Sequence, residues 1–202
     1  MKGNNFRESK KERIADSAMK LFANADFTSV SMDEIAHKAN VAKGTLYNYF
    51  YSKEDLYVKI ILQRFEKLAS ILDGAFGSRN QPWRDLRSFV IHYEAFMCKH
   101  PHFFKLWRRM RTEPSFVNMF EELEHRIVGL LTGVIKKGMR SKEFRNGSAE
   151  FCARLVLGMV EREIEHRIYK GIRRRKADEI VEFLKTGLVG ANNVGTERRA
   201  AR

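Results

Sequence analysis

Proline and cysteine are scarce in this 202-residue chain, at 3 and 2 residues, and 13 glycines leave it little turn chemistry. Collagen-like and disulfide-scaffold classes are thereby excluded. No period-2 alternation, hairpin dipeptide or repeat of solenoid length appears, which argues against sheets and arrays. No apolar run approaches the roughly 18 to 20 residues that cross a bilayer. The opening MKGNNFRESKKERIADS has no apolar stretch of the kind a signal peptide needs. A soluble, cytoplasmic protein with Cys98 and Cys152 as free thiols is expected. Phosphate loops, dinucleotide fingerprints, zinc-protease motifs and nucleophile elbows are also missing, so no enzyme, cofactor or bound metal is expected.

What is present is globular composition, 44% hydrophobic and 31% charged, with a formal charge of +13 that suits an anionic partner. Residues 1–60 hold 10 basic and 8 acidic side chains, and residues 61–202 hold 28 and 17. The excess lies mostly in the second part, so net charge does not locate a binding site.

Helical periodicity covers most of the chain. Ile14, Ala18, Leu21 and Phe22 form one stripe between Arg7 and Ala23, and Asn24 to Val30 breaks it. Ser31 followed by Glu34 is a capping box that opens a short second helix carrying Ile35, Ala36 and Ala39. After a turn at Asn40 to Ala42, a third short helix holds Leu46 and ends near Phe50. Ser52 then starts a long fourth helix with Leu56, Ile60, Phe65, Leu68 and Leu72, closed by Gly74 and Gly77. Pro82 suits a helix start, His100-Pro101 interrupts that helix, and a short aromatic helix follows. Pro114 opens the next helix, for which Gly138 is the natural stop. Ser148 to Tyr169 is apolar around much of its circumference, and Ala177 to Val189 is amphipathic. The pattern predicts an all-α fold of about nine helices: an N-terminal helix-turn-helix domain of three helices, then a helical bundle.

Two short helices joined by a tight turn and braced by a preceding helix are what a helix-turn-helix DNA reader requires. They fall between Ser31 and Phe50. Gly44 lets a backbone approach DNA, Thr45 and the tyrosines offer hydroxyls to phosphates, and Leu46 and Phe50 anchor the helix inward. Lys53 lies in the first turn of the fourth helix, beside amides that attract phosphate. The run VAKGTLYNYFYSKEDLY, Val41 to Tyr57, preceded by SMDEIAHKAN, closely resembles the DNA-binding domain of the TetR family of transcriptional regulators, with a specific match over residues 7 to 57. The resemblance implies DNA-facing positions at Lys43, Gly44, Thr45, Tyr47, Asn48, Tyr49 and Lys53, with Ser31 capping the helix that lies across the backbone. Lys43 and Asn48 are the choices for base edges; a core position is the alternative for Tyr47. Ala42 stands where many family members place a capping Ser, a loss of about 0.5 to 2 kcal/mol.

For the remainder, the resemblance implies a helical effector-binding and dimerisation domain. Aromatic and Met residues are dense between Phe96 and Phe120, which suits an adaptable apolar pocket. Phe96, Phe103, Trp107, Met110, Phe120 and Met159 are its candidate lining, although simple core packing is the commoner role for any one of them. Glu163 and His166 share a helical face with Cys152, Leu155 and Met159, where they would be buried and would orient a ligand or satisfy a bundle or dimer contact. The basic loop from Arg173 to Lys176 reads as solvated.

A di-iron oxidoreductase is the rival from another class. Glu122 with His125 and Glu163 with His166 have the required spacing, and Glu66 and Glu94 could complete the set. At about 100° per residue, Glu66, Glu122 and His125 fall opposite the apolar stripes of their helices. Cys98, His100 and His102 straddle a helix break and make a poor preformed metal site. The expected protein is a homodimeric repressor on a palindromic double-stranded operator, released by a small hydrophobic effector and making no membrane contact. A ligand-independent or architectural DNA binder is the alternative. Residues 1–53 are the expected DNA-binding domain, 54–190 the effector and dimerisation domain, and 191–202 a disordered tail.

Overall fold

The computed structural model describes residues 2–76, 81–172, 174 and 176–188. Among them are nine α-helices and no strand: α1 (Lys2–Phe22), α2 (Met32–Lys38), α3 (Lys43–Tyr47), α4 (Lys53–Ala75), α5 (Pro82–Lys99), α6 (Pro101–Met110), α7 (Val117–Arg140), α8 (Ala149–Lys170) and α9 (Ala177–Leu188). The expected all-α architecture is therefore present. The tail at 191–202, Gly77, Arg173, Arg175 and Val189 lie outside the described residues. No described helix is long and apolar enough to cross a membrane.

The chain forms two compact units, one from Met1–Lys67 with His100–Phe120, the other from Leu68–Lys99 with Glu121–Arg202. In the first, Ile14, Ala18, Phe22, Ile35, Leu46, Phe50, Leu56 and Ile60 are all at most 2% exposed, which makes a closed core around the short helices. Burying each large apolar side chain contributes about 1.5 to 3 kcal/mol. The expected break after α1 contains a single 3-10 turn, Phe27–Ser29. Phe27 stacks on Phe22 at 5.6 Å and meets Tyr57 and Phe116 edge-on at 5.2 and 5.0 Å. Burial pushes the Tyr57 phenol well above its ordinary pKa.

In the second unit, α5 buries Leu86, Phe89, Val90, Tyr93 and Met97 completely, and both α8 and α9 pack against it. Three sequence expectations are corrected here. Pro114 lies in a turn, whose Glu113 carbonyl accepts from the amides of Phe116 and Val117, and α7 begins only at Val117. Gly138 is inside α7 rather than at its stop. A Cβ at Gly138 would collide with the Phe144 ring, so glycine is required for close packing, and Lys142 at φ 62° supplies the left-handed residue of the exit.

The third correction concerns α8. Its inward stripe is Ala149, Ala153, Val156, Val160, Ile164 and Arg167, one residue along from the stripe expected to carry Glu163 and His166. Glu163 and Met159 are half-buried and His166 is exposed, with Leu155 54% exposed beside them. A helix apolar on most sides gives periodicity no basis for choosing the inner stripe.

Candidate nucleic-acid interface

Ser31 is the N-cap of α2. Its hydroxyl accepts from the Glu34 amide at 3.1 Å, while its own amide donates to Glu34 Oε2 at 2.8 Å, completing the expected capping box. These bonds hold the Glu34 carboxyl below its ordinary pKa, the backbone donor being the larger cause. α2 ends in a Schellman arrangement: the Asn40 amide donates to His37 O at 3.1 Å and the Val41 amide to Ala36 O at 3.0 Å. This places Asn40 at φ 53°, a left-handed conformation that Asn tolerates better than most residues. The tight turn follows from that geometry. Ala42 caps α3 without a side-chain bond, as its methyl group requires.

α3 is segregated. Leu46 is fully buried and Phe50 nearly so, whereas Lys43, Gly44, Tyr47 and Asn48 are exposed and Thr45 and Tyr49 are half-buried. Tyr47 is thus a surface residue rather than a core aromatic, at 41% exposed. Nothing lies within 4 Å of a Cβ built at Gly44, so the backbone there is open to a partner. Lys43 pairs with Asp33 across the starts of α3 and α2 at 2.8 Å, and the carboxylate raises the lysine pKa. Both groups are well exposed, so the pair contributes little stability and leaves Lys43 free to exchange Asp33 for another acceptor.

Lys53 lies in the first turn of α4, as expected, and has further partners that the sequence did not indicate. Its ammonium donates to Phe27 O at 2.8 Å and Thr28 O at 3.2 Å and lies 4.6 Å from the centre of the Phe27 ring. It ties the start of α4 to the segment that precedes α2. The frame is closed by Ser52, whose hydroxyl accepts from the Asp55 amide at 3.1 Å, and by Arg64, which joins Asp16 of α1 at 2.7 Å.

Two residues were missed from sequence. Tyr51, immediately after the reading segment, is 85% exposed, with the Lys59 ammonium 5.2 Å from its ring centre. It lies within the same tyrosine-rich run, between α3 and α4, where no helical periodicity separates it from the buried Phe50. Arg109 of α6 donates to Phe22 O at 2.8 Å and also to Ala25 O, capping the carbonyl end of α1. Its partners are 84 and 87 residues away, and no local pattern marks them.

Of the candidate effector residues, Phe103, Trp107, Met110 and Phe120 are buried in the first unit. The Trp107 ring centre lies 6.3 Å from Phe103, 4.8 Å from Phe120 and 6.0 Å from Phe65. Phe96, Met159, Glu163 and His166 belong to the second unit, Phe96 buried there. Glu66, Glu122 and His125 are exposed, as their helical phase required, which removes the outward half of the di-iron set. His102 is held below its ordinary pKa by burial and by Lys105, Lys20 and Lys38.

Residues 14–60 match the family model described as bacterial regulatory proteins, tetR family. The HTH-type transcriptional repressor KstR of Mycolicibacterium smegmatis is 29% identical over 99 residues, covering 49% of this chain and 48% of that one. KstR of Rhodococcus jostii is 36% identical over 66 residues, 33% of this chain and 31% of that protein. The aligned region thus spans half or less of these curated relatives. The transcriptional regulator FadR from Bacillus subtilis, solved in complex with stearoyl-CoA, superimposes with a TM-score of 0.77 at 16% identity, covering 88% of this chain and 98% of that one, which is a likeness of fold. The capped α2, the Schellman turn and the segregated α3 all fall inside the matched segment, so residues 14–60 carry the domain of the tetR family of bacterial regulatory proteins.

Proposed function

We propose that the chain is a DNA-binding transcriptional repressor that acts as a homodimer on a palindromic operator and is released by a small hydrophobic effector. The observation that carries this reading is the segregation of α3, with Lys43, Gly44, Tyr47 and Asn48 outward and Leu46 inward. In this reading Lys43 and Asn48 contact base edges, while Thr45, Tyr47 and Tyr49 contact phosphates. Ser31 fixes the helix that crosses the backbone. Lys53 contributes a positive charge near phosphate and holds the frame. Residues 1–53 read DNA, and residues 54–190 carry the effector and the dimer contact.

Dimerisation is supported by an apolar surface on the last two helices. Phe151, Leu155 and Tyr169 of α8 and Phe183 of α9 are 53, 54, 66 and 65% exposed. A second copy of the chain covers them.

The FadR structure supports an effector with a long acyl chain, since that protein holds stearoyl-CoA. Apolar burial at about 25 cal/mol per Å² would supply its affinity. Phe103, Trp107, Met110 and Phe120, all buried in the first unit, are the apolar lining in this reading. By linkage, an effector that prefers the form unable to bind DNA weakens operator binding by the ratio of its two affinities.

The test is selection of bound duplexes from a random library, followed by titration of the selected site with stearoyl-CoA. Enrichment of a two-fold symmetric sequence and release by the thioester are expected. A library that yields no enriched sequence contradicts the DNA-reading function; an enriched operator that stearoyl-CoA fails to release contradicts the acyl-thioester assignment alone.

A further inference from the structure

The interior of the second unit contains charges that a helical bundle does not need. Glu94 of α5 is fully buried and Arg167 of α8 is 6% exposed. Arg167 Nη1 donates to Glu94 Oε1, and the backbone amide of Lys176 donates to the same oxygen at 3.3 Å. Lys176 is the residue immediately before α9. α8 ends one turn beyond Arg167, where Gly171 at φ 66° and the Ile172 amide, bonded to Arg167 O at 3.0 Å, close a left-handed exit. One carboxylate oxygen therefore joins α5, the last turn of α8 and the entry to α9.

Stability is a poor reason for this arrangement. Glu94 Oε2 is buried with no hydrogen-bond partner, and replacing a buried ion pair by apolar groups is often neutral or stabilising. What such a pair can supply is a single geometry. α8 and α9 each pack more extensively on α5 than on one another, so their mutual placement is set through α5. A second tie between α5 and α9, Arg87 to Asp178 at 2.7 Å, is exposed on both sides and holds little. Tyr93, the neighbour of Glu94, donates to the buried Glu161 of α8 at 2.8 Å and fixes the axial register of α5 and α8.

We propose that Glu94 is a positioning residue for self-association: through Arg167 and the Lys176 amide it sets how α8 and α9 present Phe151, Leu155, Tyr169 and Phe183 to a second copy of the chain. The inference rests on the homodimer reading above.

The experiment is sedimentation equilibrium of the full chain over a wide concentration range, with thermal melts and helical content recorded in parallel. Wild type, Glu94→Gln and Arg167→Lys are compared with Asp85→Asn, which alters a second buried carboxylate of α5 that faces Lys137 of α7 at 3.7 Å. Glu94→Gln is expected to keep its helical content and to raise the dimer dissociation constant about tenfold or more, and Arg167→Lys to raise it by at least about threefold. Asp85→Asn is expected to lower the melting temperature and leave the dissociation constant within about threefold of wild type. A folded Glu94→Gln that dimerises like wild type, or an Asp85→Asn that weakens the dimer equally, overturns the proposal and leaves the homodimer reading standing. Should Glu94→Gln fail to fold, Arg167→Lys decides by the same criterion. A wild-type chain that is monomeric throughout the range refutes the homodimer reading itself.

Discussion

The surroundings of α3 and those of α8 invert one another. Around α3 the apolar side chains are inside and the polar ones outside: Leu46 and Phe50 are buried beneath exposed Lys43, Tyr47 and Asn48. Around α8 the charges Glu94, Glu161 and Arg167 are inside, and Phe151, Leu155, Tyr169 and the neighbouring Phe183 face out. A surface meant for DNA needs solvated donors on a helix held by its own small core. A surface that receives another folded chain is apolar, and its exposure to water stays unfavourable until it is covered. The first region buries its large apolar side chains within one chain, and the second leaves Phe151, Leu155, Tyr169 and Phe183 uncovered there.

The contrast is broken most severely by charge on the apolar side. Leu155→Asp combined with Phe183→Asp is expected to abolish self-association, while the melting temperature of the isolated chain barely moves because both positions are solvated there; sedimentation and a thermal melt check the pair of outcomes. A next largest effect is expected from the opposite change, the loss of an inward anchor beneath the polar side. Leu46→Ala should cost about 2 to 5 kcal/mol of stability, measured by urea unfolding, and should lower DNA affinity with it.

Asn48→Ala sharpens the comparison on the outer face. It should leave stability unchanged and reduce discrimination at one base position by about 1 to 3 kcal/mol, read from binding to a panel of single-base operator variants. Lys53→Ala should weaken binding to every variant alike and flatten its salt dependence. Because its ammonium also holds Phe27 O and Thr28 O, this substitution should lower the melting temperature too, which Asn48→Ala should not.

The smallest effect concerns the cap of α2. Ser31→Ala should cost about 0.5 to 2 kcal/mol, measured by urea unfolding at neutral pH. The Glu34 carboxyl is lowered in the folded chain, so its contribution is present above its unfolded pKa and disappears as pH falls through the lowered value. Acid titration of stability should therefore be shallower in Ser31→Ala than in wild type below about pH 4.5.

Much of the first region was legible because its determinants are local. The capping box spans Ser31 to Glu34, the turn is fixed within Ala36 to Val41, and Leu46 and Phe50 are one helical turn apart. The helix count was legible for the same reason. What escaped sequence reading depends on distant partners. Arg109 holds carbonyls of α1 through the tertiary fold, and Lys53 holds carbonyls 25 and 26 residues earlier. α8 has apolar groups on both its inner and outer faces, so the stripe with Glu163 and His166 competed with the stripe that is buried. Glu161 and Arg167 carry charge, and periodicity places charge outward unless a partner such as Tyr93 or Glu94 is known. Gly138 reads as a helix stop until the Phe144 ring is seen against it.

The most direct measurement is the mass of the complex on a selected duplex, determined by sedimentation with wild-type protein and with the Leu155→Asp, Phe183→Asp variant. Whole copies in symmetry-related pairs on the wild-type duplex are predicted, with affinity for that duplex lost in the variant while each chain remains folded. A single copy bound to one half-site, with equal affinity in wild type and variant, would contradict the division of the chain into a DNA-facing and a self-facing surface.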